Sequence, residues 1–146
     1  MKKPNLGERY DPYWAGDPAQ MSANDHVIWS RFQDITSEEY DSLYFSVLVG
    51  DATMWTEDLE EDMVRVVEHA SRRRIDVVGE TKDEWHIIEL RMNAGPGAIG
   101  SVLTYKILWE AEPPDKRKVI PIIITDVTDS NLAFACQKLG IRLILV

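Results

Sequence analysis

Two acidic residues and one basic residue in the stretch "RIDVVGETKDEWHIIELR" (74–91) are of the types that bind metal ions and phosphates. Asp76 and Glu89 each lie inside an apolar segment, and Arg91 follows Glu89 by two positions. Residues two apart in a strand share a face, so Glu89 and Arg91 point the same way. If the two segments form a hairpin, Asp76 lies across from that face. Two carboxylates with a backbone carbonyl oxygen suit Mg²⁺, which can activate water against a phosphodiester.

The segments on either side of this stretch predict the elements that position it. Strands alternate with helices, which favours one α/β domain over residues 22–146, with a mixed central sheet flanked by helices on both faces. The predicted elements are a helix from the Ser22 cap to about Gln33, a strand at 41–50, a helix capped by Thr56, strands at 74–80 and 85–92, a helix from about Ala98 to about Trp109, a strand at 118–125, a helix at 129–138 ended by Gly140, and a strand at 141–146.

Apolar spacing predicts which faces of these elements are buried. In the first helix, Val27, Ile28 and Phe32 are expected to point inward. The last strand, "IRLILV", is expected to be buried because it is apolar almost throughout. In the second helix, one apolar stripe at helical spacing is expected to be buried. Its members are Leu59, Met63, Val66, Val67 and Ala70.

Residues 1–21 predict an extended N-terminal arm, because prolines and glycines interrupt the segment without any periodicity. The arm carries Tyr10, Tyr13 and Trp14. Exposed aromatic side chains are unfavourable unless they pack on something. Two interpretations remain open for these three residues: they pack on their own domain, or they bind a partner protein.

Charge and composition argue against several classes of protein without excluding DNA binding. Net charge is −9, and residues 1–70 hold 15 acidic against 5 basic residues. Proteins that grip nucleic acid without sequence preference usually carry a basic surface, so this balance argues against tight non-specific DNA binding. The single cysteine, Cys136, predicts a packed side chain and no internal disulfide. No apolar run is long enough for a membrane helix, and the first residues do not predict a signal peptide.

The order of these features resembles the PD-(D/E)XK nuclease superfamily over about residues 57–125. The resemblance rests on a helix, a strand with Asp76, a turn, a strand with Glu89 and then Arg91, and a helix carrying "GAIGSVLTYK". It is closest to the RecB-like branch and to small domains of the Holliday-junction-resolvase type. The fold that it implies is a restriction-endonuclease-like one.

The resemblance also implies roles for individual residues. Asp76 and Glu89 match the metal-binding acids, Arg91 takes the position of a catalytic lysine, and Ser101 and Tyr105 match a Gln-x-x-x-Tyr motif on the helix. Two positions depart from the family pattern, since Arg91 replaces lysine and Ser101 replaces glutamine. Arginine is planar, bulkier and always protonated, so it cannot act in the same space as lysine. The favoured expectation is therefore a structural relic of the site, in which Arg91 pairs with an acid. The alternative is a working Mg²⁺ site.

The whole chain also resembles small proteins encoded among the virion genes of tailed bacteriophages. The likeness rests on "DPYWAGDP" in the arm, "VIWSRF" after it and "GIRLILV" at the end. It implies a non-catalytic neck, connector or tail component without a cofactor, present in multiple copies or as a homo-oligomeric ring that contacts other virion proteins. The protein would then be located in the virion or the host cytoplasm. The alternative function is a Mg²⁺-dependent endonuclease acting on DNA.

Overall fold

The computed structural model describes residues 1–35 and 40–146. None of the helices in these two ranges is both long enough and apolar enough to cross a membrane. The elements, in chain order, are α1 (Ala23–Ile35), β1 (Ser42–Val49), α2 (Glu61–Ser71), β2 (Arg73–Glu80), β3 (Glu84–Leu90), α3 (Pro96–Ala111), β4 (Lys118–Thr125), α4 (Ser130–Leu139) and β5 (Arg142–Leu145).

The five strands form one mixed sheet in the order β1-β2-β3-β4-β5. β2 is antiparallel to both of its neighbours, β1 and β3, whereas β3, β4 and β5 run parallel to one another. The predicted hairpin is confirmed, with Val77 opposite Ile88 and Glu80 opposite Trp85. Parallel neighbours need a crossover, and α3 and α4 supply the two crossovers. The protein is therefore an α/β domain with a mixed sheet flanked by helices.

One face of the sheet is covered by α1. Trp29 and Phe32 of α1 are buried in a cluster with Ile88 of β3 and Ile122 of β4. Ser22 begins this helix, because its Oγ accepts the Asp25 N–H at 3.1 Å, and the predicted cap is confirmed. The first turn of α1 holds Asp25, whose charge acts on Glu89 near the carboxyl end of β3.

The other face is covered by α3 and α4. Trp109 of α3 and Cys136 of α4 pack in one cluster with Ile87 and Ile123 from the sheet. The predicted end of α4 is also confirmed, since Gly140 has φ 71° and donates its N–H back into the last turn. Helices on both faces leave the central strands β2, β3 and β4 with apolar side chains on each side.

Two predicted buried faces differ from the structure in detail. Val27 is exposed, and Trp29 takes the inward position because it lies within the same arc of the helix as Ile28 and Phe32. The last strand is half-buried, with Leu145 54% exposed, so the prediction of a buried strand was wrong. The reason is that β5 is the sheet's edge and lies beside β4 alone.

The prediction that the second helix carries a buried apolar stripe was wrong. The helix begins at Glu61 and contains no buried residue, and Leu59, Met63 and Val66 are exposed. Because β1 and β2 are antiparallel neighbours, their linked ends lie at the same end of the sheet. A helix between such ends does not have to cross a face, so α2 stays at that end.

The N-terminal residues lie along β1. Asn5 and Leu48 form one antiparallel bridge, and Tyr10 and Leu43 form another. The Tyr10 and Trp14 rings are 4.4 Å apart and lie 5.2 and 5.6 Å from the Phe45 ring.

Of the two interpretations of the arm, these contacts favour packing on the protein's own domain for Tyr10 and Trp14. Tyr13 differs from both, because it is 85% exposed. A partner-binding role for the three residues stays a prediction, and Tyr13 is the one that is free to take it.

Candidate active site

Asp76 and Glu89 occupy neighbouring positions on β2 and β3. The pairing of the two strands ends at Val77 opposite Ile88, and Asp76 and Glu89 are the next residues beyond that pair. The Leu90 N–H donates to Asp76 Oδ2 at 2.8 Å, so a side chain takes the place of a backbone acceptor. The strands part here, and the gap holds the two carboxyl groups.

An irregularity in β1 and β2 places Asp76 at this gap. Ile75 and Val77 pack in different clusters although residues two apart normally share a face. Opposite Asp76, between the paired residues Phe45 and Val47, Ser46 has a positive φ of 52°. Such local breaks in a ladder re-aim side chains. The break in regular alternation therefore lies at Asp76, one of the two acids of the candidate site.

Glu89 is buried and only partly satisfied. Its side chain is 6% exposed, and Oε1 accepts from Arg91 Nη2 at 3.0 Å. Its second oxygen, Oε2, has no hydrogen-bond partner within the described part of the chain. A buried acceptor without a partner destabilises the folded state by about 1–3 kcal/mol. This oxygen is therefore available to a ligand that can offset the loss.

Arg91 forms the ion pair with Glu89 that the relic interpretation predicted, but the Arg91 side chain remains accessible to solvent. The side chain is 43% exposed, and the backbone N–H donates to Ile124 O at 3.1 Å. A Cβ added at Gly97 would lie 3.8 Å from Arg91 Nη1, so the guanidinium group lies beside the first turn of α3. Arg91 thus borders the carboxyl groups from the solvent side.

Ser101 and Tyr105 approach the carboxyl groups from α3. Burial, together with the negative charges of Glu89 and Asp76, raises the pKa of Tyr105 to about 12, while a hydrogen bond with Ser101 acts in the opposite direction. The Tyr105 hydroxyl therefore stays protonated and can donate a hydrogen bond. The predicted helix motif does face the predicted acids.

The loop between β3 and α3 is held by two hydrogen bonds from the end of β4. Asp126 Oδ1 accepts the Asn93 N–H at 2.7 Å, and Thr125 Oγ1 accepts the Ala94 N–H at 3.0 Å. Asn93 has a positive φ of 47°, which asparagine tolerates better than most residues. These contacts fix the start of α3, and with it the height of Tyr105 above the sheet.

The two carboxyl groups titrate as a pair. Burial, reinforced by the charge of Glu89, raises the pKa of Asp76 to about 8. Burial also raises the pKa of Glu89, although the hydrogen bond and charge of Arg91 oppose the shift. Like charges this close do not both ionise readily, so the pair retains a proton near neutral pH. A divalent cation can take the place of that proton.

Asp25 is a member of this region that the sequence did not predict as a site residue. It lies in the first turn of α1, and its negative charge acts on both Asp76 and Glu89. Burial raises the pKa of Asp25 itself. No spacing in the sequence links residue 25 to residues 76 and 89, since the contact depends on how α1 crosses the sheet.

The structure thus brings together one group of predicted residues and leaves another apart. Within residues 1–35 and 40–146, no group of three or more His, Cys, Asp or Glu side chains is placed to hold a metal ion, so two carboxylates are the donor set. Tyr10 and Trp14 of the arm pack on Phe45 of β1 and Tyr13 is exposed, so the arm's aromatic residues do not belong to this group. The grouped residues are Asp76, Glu89, Arg91, Ser101 and Tyr105.

The fold and site together define an α/β protein with a buried carboxylate pair beside an arginine and a tyrosine. Comparison of the chain with models of known protein families, with curated proteins and with solved structures finds no match in any of the three. The function is therefore inferred from the geometry of the site.

Proposed function

We propose that the protein is a Mg²⁺-dependent endonuclease of the PD-(D/E)XK type that acts on DNA. The observation that carries this proposal is the buried Asp76–Glu89 pair, in which Glu89 Oε2 has no partner among the described residues. Burying two acids side by side destabilises a fold, and a purely structural position has no need of it. Strongly shifted carboxyl pKa values of this kind cluster at functional sites.

The donor set fits Mg²⁺. This ion is usually bound by one or two carboxylates, keeps several waters and takes the rest of its ligands from the substrate. Asp76 and Glu89 would hold it, with Glu89 Oε2 as the first free ligand atom. When bound, the ion would lower the pKa of a coordinated water and neutralise phosphate charge.

The other residues would bind and orient the substrate. Arg91 is half exposed at the mouth of the site, and its guanidinium can pair with a phosphate oxygen without leaving Glu89. The protonated Tyr105 hydroxyl can donate to a second oxygen. Because arginine stays charged at all physiological pH values, Arg91 would stabilise charge and would not take up a proton.

A cleavage assay tests this proposal. Supercoiled, linear and branched DNA are incubated with the protein and Mg²⁺ or Mn²⁺, and nicking is followed on gels. We expect nicking that depends on the cation and is lost in Glu89→Gln, which keeps the side-chain shape. Glu112→Gln serves as the control, because Glu112 is an exposed acid outside the site. Cation-dependent nicking that survives in Glu89→Gln, or no nicking of any DNA, would overturn the proposal.

A second candidate function is a non-catalytic assembly protein of a tailed-phage particle. The observation that favours it is the Arg91–Glu89 ion pair, which occupies one oxygen of the carboxylate pair with a residue that cannot act as lysine does. Tyr13 would then be an anchor for a neighbouring virion protein. Under this candidate the protein is present at a fixed copy number in purified particles, and Tyr13→Ala lowers that number without changing the fold.

A further inference from the structure

The segment 54–66 has an unusual surface. Trp55 is 74% exposed, and Met54, Leu59, Met63 and Val66 are exposed as well. The same segment holds five acidic residues, at 57, 58, 60, 61 and 62, against one basic residue, Arg65. Apolar side chains and negative charge thus occur together. We call residues 54–66 the acidic segment.

Among residues 1–35 and 40–146, the ion pair and hydrogen bonds that tie α2 to the rest of the protein lie at its far end. Glu68 pairs with Lys2, the backbone carbonyl of His69 accepts from Arg74, and Ser71 accepts the Thr53 N–H at 3.2 Å. The first turns of α2, which belong to the acidic segment, carry exposed side chains. Apolar surface of this kind, bordered by charge, is typical of protein interfaces.

A groove of complementary character lies elsewhere on the same molecule. It has a volume of about 580 Å³ and is lined by Lys106, Lys116, Arg117 and Lys118 with a single acid, Glu110. Apolar lining comes from side chains such as Leu139, which is exposed. We call it the basic groove.

The basic groove offers charge that its own molecule does not neutralise. Arg117 pairs with Glu80 and Asp115, and Lys106 pairs with Glu110. Lys116 and Lys118 are exposed, and neither has an ion-pair partner in the described ranges. Two lysines are therefore free to meet carboxylates from outside.

The two surfaces lie at opposite ends of the sheet. α2 leads directly into Arg73, the first residue of β2, and the antiparallel pairing places the start of β2 beside the end of β3. Lys118 begins β4 and lies opposite Glu84 at the start of β3. Because they are so far apart along the strands, the acidic segment cannot reach the groove of its own molecule.

We propose that the acidic segment of one copy of this chain docks into the basic groove of the next copy. Carboxylates would meet Lys116 and Lys118, and exposed apolar side chains such as Trp55 would be removed from water. A contact between two different surfaces is heterologous, so repetition closes a ring or extends a filament. The inference does not depend on hydrolysis, and under the second candidate function it specifies the neighbour.

Charge argues for this arrangement over a two-fold symmetric one. In a symmetric contact through α2, two segments with five acids against one base would face each other, and like charges juxtaposed across an interface are unfavourable. Docking into the basic groove instead pairs opposite charges. We therefore expect the assembly to weaken as salt is added, since salt screens exposed charges.

Charge reversal at each surface tests the proposal. Molar mass is measured by light scattering over a protein concentration series for the full chain. We expect the wild type to assemble, and Glu57→Lys with Glu60→Lys to raise the dissociation constant at least about tenfold. Lys116→Glu with Lys118→Glu should do the same. An equimolar mixture of the two double variants should assemble again, because each then offers a surface that fits the other.

A matched control changes the same net charge at other positions. Asp34→Lys with Asp41→Lys alters exposed acids that belong to neither surface, and it should assemble like the wild type. Three results would overturn the proposal: a monomeric wild type throughout the series, assembly that the reversals leave unchanged, or a dimer that grows no further. The nicking assay is a separate readout, so failure of one proposal is distinguishable from failure of the other.

Discussion

Acidic residues lie at both ends of the β2–β3 hairpin, and their pKa values shift in opposite directions at the two ends. At the open end, near the hairpin's start, Asp76 and Glu89 lie side by side, and the pKa of Asp76 rises to about 8 through burial and the Glu89 charge. At the turn end, Arg117 hydrogen-bonds Asp115, and this contact lowers the pKa of Asp115 to about 2. The open end of the hairpin thus carries a like-charged pair, and the turn end borders a network in which Glu80 and Asp115 share Arg117.

The turn-end network leaves few donors unused. Arg117 Nη2 donates to Glu80 Oε2 at 2.9 Å, and its guanidinium lies 4.2 Å above the Trp85 ring. Trp85 Nε1 donates to Asp115 Oδ1 at 3.0 Å, and the Tyr44 hydroxyl donates to Glu80 Oε1 at 2.9 Å. Each charge has an opposite charge beside it, so this end contributes stability.

The comparison separates acids that stabilise the fold from acids that remain available to a ligand. The charges at the turn end are paired with opposite charges, whereas under the proposed function the like-charged pair at the open end is completed by a bound cation. The turn end would lose stability on mutation, and the open end would gain stability from a cation. Three variants separate these expectations.

The largest effect is expected at the turn end for Gly79→Ala. An added Cβ would overlap with the ring of Tyr40, and Tyr40 is buried with its hydroxyl 2.8 Å from His86 Nδ1. Overpacking of this kind costs about 3 kcal/mol, measured as the change in urea unfolding free energy. Gly100→Ala in α3 is the control, because nothing lies within 4 Å of its added Cβ. Equal stabilities of the two variants would show that the turn end is not rigid.

A smaller loss is expected for Arg117→Met, which removes the centre of the network. Glu80 and Asp115 would lose their shared cation, and we expect the free energy of unfolding to fall by about 2 kcal/mol. Lys106→Met removes an i,i+4 pair on the surface of α3 and should change stability by less than about 0.5 kcal/mol. If both variants behave alike, the network does not stabilise the fold more than an ordinary surface pair.

The smallest expected effect is a change in the free energy of unfolding with pH, caused by Asp76 at the open end. Asp76 has a folded pKa of about 8, above its ordinary value of 3.8, so the folded state binds the extra proton. That contribution to stability is complete below about pH 4 and is lost as pH rises through 8. Between pH 7 and pH 8 we expect wild-type unfolding free energy to fall by about 1 kcal/mol.

Asp76→Asn has no such proton, so its stability should be flatter over the same pH range. Mg²⁺ added at pH 8 should raise the wild-type melting temperature and leave that of Asp76→Asn unchanged, because binding to the folded state stabilises it. A wild-type profile as flat as that of the variant would mean that Asp76 is already ionised at neutral pH.

Local patterns in the sequence predicted the elements well. The run "KVIPIIIT" matches β4 at both ends, and the polar turn between 80 and 84 separates β2 from β3 as expected. Hydrophobic runs and capping residues act over a few positions, so the sequence alone can report them. The spacing of Glu89 and Arg91, and of Ser101 and Tyr105, likewise places each pair on one face.

Contacts between residues far apart in the sequence could not be predicted from such local patterns. The stripe of α2 has helical spacing, but spacing does not reveal whether a neighbour covers it, and in the structure none of its residues is buried. Asp25 reaches the site only because α1 crosses the sheet, and His86 is buried against Tyr40 across 46 positions of chain. The packing of residues 1–21 on β1 depends on pairing of the same kind.

The bridges at Asn5 and Tyr10 also bear on solubility. The Leu43 N–H donates to Tyr10 O at 3.0 Å, and the Leu48 N–H donates to Asn5 O at 3.2 Å, so the backbone groups of β1 are occupied at these two positions on its outer side. An uncovered edge strand is a template on which further chains can add by backbone pairing. We therefore expect that deletion of residues 1–10 causes aggregation through β1 at temperatures at which the rest of the domain is still folded.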